Sequence, residues 1–186
     1  VFSDLDLPEA VYLSEAAPKS STRRFDINDA TRHFMPRARS SHKGSNGHVV
    51  IVGGDTGFGG AVIMAGEAAL HSGAGLVSVI TRSCNRAPAL ARCPELMVCG
   101  TEDSEIQSPS ENKNWKPVEA LLDRASALVL GPGLGKNKWS QQLFAMVLKA
   151  SRANNIPLVI DADALHLLAD RQSMLSSPQS MPWVLT

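Results

Sequence analysis

The sequence lacks most of what would mark a secreted, membrane-spanning or nucleic-acid-binding protein. Its three cysteines, Cys84, Cys93 and Cys99, are odd in number and show no C-x-x-C spacing. Reduced thiols in a cytoplasmic compartment are therefore expected, with neither a disulfide framework nor a cysteine metal site. No apolar run approaches the roughly 18 residues of a membrane span, and no signal-peptide pattern is legible. Eighteen Lys and Arg offset eighteen Asp and Glu, and the pI is near 7.1. A balanced charge argues against a general nucleic-acid surface, so neither nucleic acid nor membrane is expected as a partner. An initiating Met is also missing, since the chain opens on Val1, which reads as a processed or trimmed amino end.

Common catalytic signatures are absent too. There is no serine in a G-x-S-x-G elbow, and none of the cysteines has a local histidine partner. His33, His42, His48, His71 and His166 share no spacing suited to a metal or a triad, so each is expected to be structural or on the surface. The dinucleotide pattern G-x-G-x-x-G fails, because Gly57 and Gly59 would need a glycine at Val62. The P-loop pattern fails for want of a Lys-Ser or Lys-Thr after the glycines.

What is present is an alternation of short apolar strands, glycine turns and helices. A chain of 186 residues is about one domain, and 44% hydrophobic content allows a sizeable core. His48-Val-Val-Ile-Val52 is β-branched and apolar throughout, the pattern of a strand covered on both faces. Five glycines follow within eight positions, Gly53 to Gly60. Ala61 to Ser72 is small and aliphatic round nearly its whole circumference and predicts a buried helix, stopped by Gly73 and Gly75. Leu76 to Ile80 is the next strand. Strand, helix and strand in so few residues imply a right-handed crossover and a parallel sheet. The glycine turn then lies at a strand's carboxyl end, where open α/β sheets place ligands. Gly54, Gly57, Gly59 and Gly60 can form a backbone cradle for an anion or for ribose hydroxyls at the helix N-terminus. Tight strand-to-helix packing without a ligand would use the same glycines.

Elsewhere, Val1 to Arg24 is polar, carries Pro8 and Pro18 and reads as extended or linker. Asp26 can cap a short helix over 27–34. Arg32, Arg37, Arg39, His42 and Lys43 form a basic patch, read as solvated surface or as support for a polyphosphate. Thr81 to Ala91 reads as helix or loop broken by Pro88, and residues 94–98 as a strand. Residues 100–116 read as an exposed, protease-sensitive loop. A helix over 117–124 and a strand over 127–130 lead into a second glycine turn, Gly131-Pro-Gly-Leu-Gly135. The next helix carries Trp139, Leu143, Met146, Val147 and Ala150 on one face. Residues 157–160 form a strand running into Asp161-Ala-Asp163, then a helix over 164–169 and a strand from Trp183. In extended backbone Asp161 and Asp163 point the same way. Together they can hold Mg²⁺ through water or accept from ribose hydroxyls, or Asp163 can simply cap the following helix. The alternation is unfinished at Thr186, which reads as part of a larger domain.

Several segments together resemble one family. They are H-K-G-x-x-G at 42–47, V-V-I-V-G-G-D with G-F-G-G-A through Ala61, and G-x-A-A-L-x-x-G-A-G-L-V at 66–77. P-E-L-M-V at 94–98, G-P-G-L-G at 131–135, D-A-D-A-L at 161–165 and W-V-L-T at 183–186 complete the series. From Phe25 to Thr186 the chain resembles the ADP- or ATP-dependent NAD(P)H-hydrate dehydratases. The resemblance implies an α/β, ribokinase-like fold with a mostly parallel sheet, helices on both faces, and residues 25–186 as its N-terminal part. It implies dehydration of hydrated NADH or NADPH back to the working cofactor, with ADP or ATP and Mg²⁺, in a cytoplasmic homo-oligomer. Ala61, Gly133 and Gly135 would contact the hydrated dinucleotide, with Asp161 and Asp163 lining the same cleft. Val1 to Arg24 resembles the tail of the epimerase domain that precedes the dehydratase in bifunctional members. The family's P-H-P-G-E, K-G-x-x-T and G-x-G-D segments are expected after Thr186, so the catalytic base is expected there too. A ribokinase-like small-molecule kinase and a non-catalytic nucleotide-binding fragment are the competing readings.

Overall fold

The computed structural model describes Asp26, Asn28 and residues 36–102, 115–171 and 183–186. Two compact units are distinguished, Val1–Arg39 and Ser40–Thr186. In the first, the Asn28 amide donates to the Asp26 carboxylate at 2.7 Å, as an N-cap would, and Asn28 is helical. The rest of that expected helix, the linker over 1–24 and most of the expected loop over 100–116 lie outside the described residues.

The second unit is a six-stranded sheet. Its strands are β1 (His48–Val52), β2 (Leu76–Arg82), β3 (Met97–Thr101), β4 (Ala127–Leu130), β5 (Leu158–Ile160) and β6 (Trp183–Leu185). All neighbours are parallel, in the order β3-β2-β1-β4-β5-β6. The helices are α1 (Gly59–His71), α2 (Arg86–Arg92), α3 (Lys116–Asp123), α4 (Lys138–Ala153) and α5 (Asp163–Ala169).

Side-chain alternation along the strands explains the layering. Ile51 of β1 with Val77 and Val79 of β2 meets Val62 and Ile63 of α1 and Ala89 of α2. Val50, Val52, Ile80, Leu128, Leu130, Leu158 and Ile160 point the other way, into a larger core with Leu122, Trp139, Leu143, Phe144 and Val147. Both faces are therefore covered, as the apolar runs require.

Several boundaries differ from those read in the sequence. Helix α1 begins at Gly59 and is not buried all round: Val62, Ile63 and Gly66 face the sheet, while Met64 is 65% exposed. A helix lying on one face of a sheet has an outer side whatever its composition. Strand β2 runs on to Arg82, and Pro88 does not break the next segment. Pro88 is the third residue of α2, where its missing N–H has no intrahelical acceptor to lose. Strand β3 lies three residues later than expected, at Met97–Thr101. Trp115, assigned to the exposed loop, is fully buried in the larger core just ahead of α3.

His48 is a polar group paired within the core. It is buried with a ring nitrogen, Nε2, 2.8 Å from Ser78 Oγ. Burial, and secondarily the charge of Arg124, hold its imidazole below the ordinary value of 6.5. The unfolded chain then binds more protons than the folded one just below that value, so stability falls as pH drops through it. Urea unfolding at pH 7.5 and at pH 5.5 should show this loss, and His48→Gln should flatten it; equal pH dependence in both proteins would refute the assignment. In the larger core, Phe144→Ala should cost about 3–5 kcal/mol by urea unfolding, against less than about 0.5 kcal/mol for the exposed Gln141→Ala.

Candidate functional site

Register fixes where the strands end. Val52, Leu130, Ile160 and Leu185 are paired in one row across four adjacent strands. The ladder continues one residue beyond it: Gly131 N–H donates to Val52 O, Asp161 N–H to Leu130 O and Thr186 N–H to Ile160 O, at 3.0, 2.9 and 3.1 Å. Both glycine turns and the first aspartate thus leave the sheet at one level. Strand order reverses between β1 and β4, the point at which open α/β sheets place a ligand-binding crevice.

The two glycine turns are joined by backbone hydrogen bonds. Gly54 N–H donates to Pro132 O at 2.9 Å and Asp55 N–H to Gly133 O at 2.6 Å. A Cβ on Gly53 would run into the Pro132 carbonyl, and one on Gly133 (φ +60) into the Phe58 carbonyl. Behind the first turn, Thr81 Oγ1 and Asn85 Nδ2 donate to the Gly54 carbonyl at 2.8 and 2.7 Å. Gly59 packs on the Asn85 side chain. Gly57 and Gly60 differ: a Cβ on either would meet nothing within 4 Å. Gly60 and Ala61 lie in the first turn of α1, where amides have no intrahelical acceptor.

An ionic network stands beside these turns. Asp55 Oδ1 accepts from Arg82 Nε at 2.7 Å, and Asp55 Oδ2 accepts from Asn137 Nδ2 at 2.7 Å. The side chains of Arg82 and Asp55 are 6% and 16% exposed. The Arg82 guanidinium lies 4.3 Å from the centre of the Trp139 ring, whose Nε1–H donates to Thr101 Oγ1 at 2.8 Å. Asn137 also caps α4, accepting from the Ser140 N–H at 3.1 Å.

The aspartates of the D-A-D segment are placed less simply than an extended strand would place them. Ala162 has φ +47, so the chain turns between them and the two carboxylates do not share an extended segment. Asp161 Oδ1 accepts from Thr186 Oγ1 at 3.0 Å. Asp163 opens α5, but its Oδ2 accepts from the Gly135 N–H at 2.9 Å and gives its own helix no side-chain cap. Asp163 therefore ties the second glycine turn to α5. Arg37, Arg39, His42 and Lys43 are exposed; Arg32 lies outside the described residues. Among the described residues no group of three His, Cys, Asp or Glu is placed to hold a metal ion.

Asp55, Arg82, Asn85, Asn137 and Trp139 were not foreseen as parts of the site. Asn137 alone carried a readable signal, a good capping residue three places before Ser140 at the start of an amphipathic helix. Nothing in the sequence places Arg82 across from Asp55, because their 27-residue separation is closed only by strand pairing.

The model of one family, described as NAD(P)H-hydrate dehydratase, matches residues 49–186, a span holding both glycine turns and both aspartates. The chain is 42% identical over 172 residues to a bifunctional NAD(P)H-hydrate repair enzyme of Leishmania braziliensis, covering 91% of this chain and 30% of that protein. It is 37% identical over 145 residues to an ADP-dependent (S)-NAD(P)H-hydrate dehydratase of Enterococcus faecalis, covering 78% and 46%. A solved ribokinase-like superfamily protein of Enterococcus faecalis superposes with a TM-score of 0.67 at 34% identity, over 81% of this chain and 48% of that one. The chain spans less than half the length of each of these relatives. With a family model matched across its sheet and both glycine turns, the chain belongs to the NAD(P)H-hydrate dehydratase family.

Proposed function

We propose that the protein carrying this chain dehydrates hydrated NADH and NADPH back to the reduced cofactors at the expense of a nucleotide. The meeting of two glycine turns at the sheet's switch point, within the span matched by the family, carries this reading. The relative from Enterococcus faecalis is named ADP-dependent, which favours ADP over ATP. Hydroxide is a poor leaving group. Transfer of a phosphoryl group to the added hydroxyl turns it into a phosphate, which leaves with the C–O bond electrons as a ring proton is removed.

In this reading the chain supplies binding and orientation. Gly60 and Ala61, in the open first turn of α1, receive an anionic or ribosyl group of the ligand, supported by free amides and the helix dipole. Gly57 and Gly60 leave room for it, while Gly54 and Gly59 shape the turn from behind. Gly133 and Gly135 form the facing wall of the hydrated dinucleotide's site. Asp161 and Asp163 border the same cleft, with Asp163 holding Gly135 in place. The described residues do not by themselves make a metal site, so Mg²⁺ would enter with the nucleotide.

A cytoplasmic setting is part of the proposal, supported by three cysteines that form no disulfide. No helix among the described residues is long and apolar enough to cross a membrane. Fusion to an epimerase is also proposed. It is supported by the bifunctional relative, whose match covers 91% of this chain and so extends into Val1–Arg24. Assembly into a homo-oligomer is proposed on the family's account.

The test is incubation of the protein with hydrated NADPH, ADP or ATP, and Mg²⁺, following the return of NADPH. Nucleotide-dependent regeneration is expected. A phosphorylated product that persists would instead indicate a kinase, and nucleotide binding without turnover a binding module; either overturns the proposal. Gly60→Leu adds bulk only into open space and removes a helical glycine, so stability should hold or rise by up to about 1 kcal/mol. Its KM for hydrated NADPH should rise at least about tenfold. Unchanged KM in a stable Gly60→Leu protein would remove α1 from the site.

A further inference from the structure

We propose that Asp55 is a positioning residue, whose carboxylate holds the two glycine turns at the separation that the ligand requires. The inference rests on the dehydratase reading for its consequence in turnover, but not for its structural content. Asp55 is tied at once to three separate segments bordering the crevice. Its N–H donates to Gly133 O in the second glycine turn. One carboxylate oxygen takes Arg82 Nε at the end of β2, and the other takes Asn137 Nδ2 at the start of α4.

Each partner is itself constrained. Arg82 is sandwiched between Asp55 and the Trp139 ring, and Trp139 is anchored on Thr101 of β3. Asn137 cannot turn its amide over without losing the α4 cap, because its Oδ1 accepts from Ser140 while its Nδ2 donates to Asp55. The donor and acceptor pattern is therefore fixed all along the chain Ser140–Asn137–Asp55–Arg82. Charge at Asp55 also matters. A guanidinium this buried needs a carboxylate partner, and removing one member of such a pair is far more costly than its net contribution. Gly135 approaches so closely that a Cβ there would press on Asp55 Oδ2. Shifting the Asp55 carboxylate would thus disturb the second turn at Gly133, through the Asp55 N–H, and at Gly135 by contact.

This network allows a polarity exchange that separates positioning from direct chemistry. Asp55→Asn presents an amide nitrogen to the Asn137 amide nitrogen, donor against donor, and removes the negative charge that faces Arg82 Nε. Asp55→Asn combined with Asn137→Asp restores every hydrogen bond and returns the negative charge to the network. The amide introduced at position 55 accepts from Arg82 and donates to the carboxylate introduced at position 137. That carboxylate still accepts from Ser140, at a helix N-terminus that favours negative charge.

The experiment measures two properties of the whole protein that carries this chain, in wild type, single and double variants. The first is hydrogen exchange of the backbone amides at positions 54, 55 and 135, which requires no ligand. The second is KM and kcat for nucleotide-dependent dehydration of hydrated NADPH, at a temperature where all variants are folded. Asp55→Asn is expected to speed exchange at these amides at least about tenfold and to raise KM about tenfold with a smaller change in kcat. The double variant is expected to return both to within about threefold of wild type. Unchanged exchange in Asp55→Asn overturns the proposal, whether or not the protein proves to be a dehydratase. Restored exchange without restored turnover also overturns it, because the Asp55 carboxylate would then act on the ligand directly. A wild type with no turnover sinks the dehydratase reading alone and leaves the exchange experiment to decide.

Discussion

Two backbone hydrogen bonds, from Gly54 to Pro132 and from Asp55 to Gly133, determine the shape of everything around the crevice. They join loops that leave neighbouring parallel strands at the same level, and they need main chain to approach main chain without an intervening Cβ. Glycine satisfies that at positions 53 and 133, where a methyl group would occupy a carbonyl's place. Gly54, Gly59, Gly131 and Gly135 are set by close neighbours elsewhere, and the amides of Gly53, Gly54, Gly131 and Gly135 donate to protein acceptors. Gly57 and Gly60 are the exceptions that leave space open.

Because the turns are locked to each other, side chains beside them gain leverage. Arg82, Asp55 and Asn137 come from three different segments, yet they form one line of charge-assisted and neutral hydrogen bonds. A buried ion pair adds little net stability, since desolvation offsets much of the attraction, but it penalises any arrangement that separates the charges. Here that penalty acts on the distance between β2, the first glycine turn and α4. Asp163 does the same for α5 by holding the Gly135 amide. The crevice wall is thus held by polar contacts at its rim, while the apolar clusters beneath hold the sheet and helices.

Much of this was legible in the sequence, and the reasons are local. Runs such as His48–Val52 and Ala127–Leu130 announce strands covered on both faces, and glycine placed just past a strand marks its exit. The facing residues of α4 follow helical spacing, so Trp139, Leu143, Val147 and Ala150 are buried as read. Errors fell where a local rule met a longer-range one. Pro88 looked like a breaker but sits in a first helical turn, and Trp115 looked exposed among polar neighbours but is drawn into the core. The D-A-D segment looked extended, whereas Ala162 turns the chain between the aspartates.

By itself the sequence determined the alternation of strands and helices, the positions of the glycine turns and, through its ordered motifs, the family to which the chain belongs. These depend on side-chain periodicity and on residues whose backbone demands are their own. Only the tertiary structure decided which groups meet. Strand order places β1 beside β4, although α1, β2, α2, β3 and α3 intervene in the chain. That adjacency brings Gly53 against Pro132 and Asp55 against Asn137, while the pairing of β4 with β5 brings Gly135 against Asp163. No periodicity encodes such pairs, because each is fixed by the register of parallel strands rather than by the residues that happen to lie next to it.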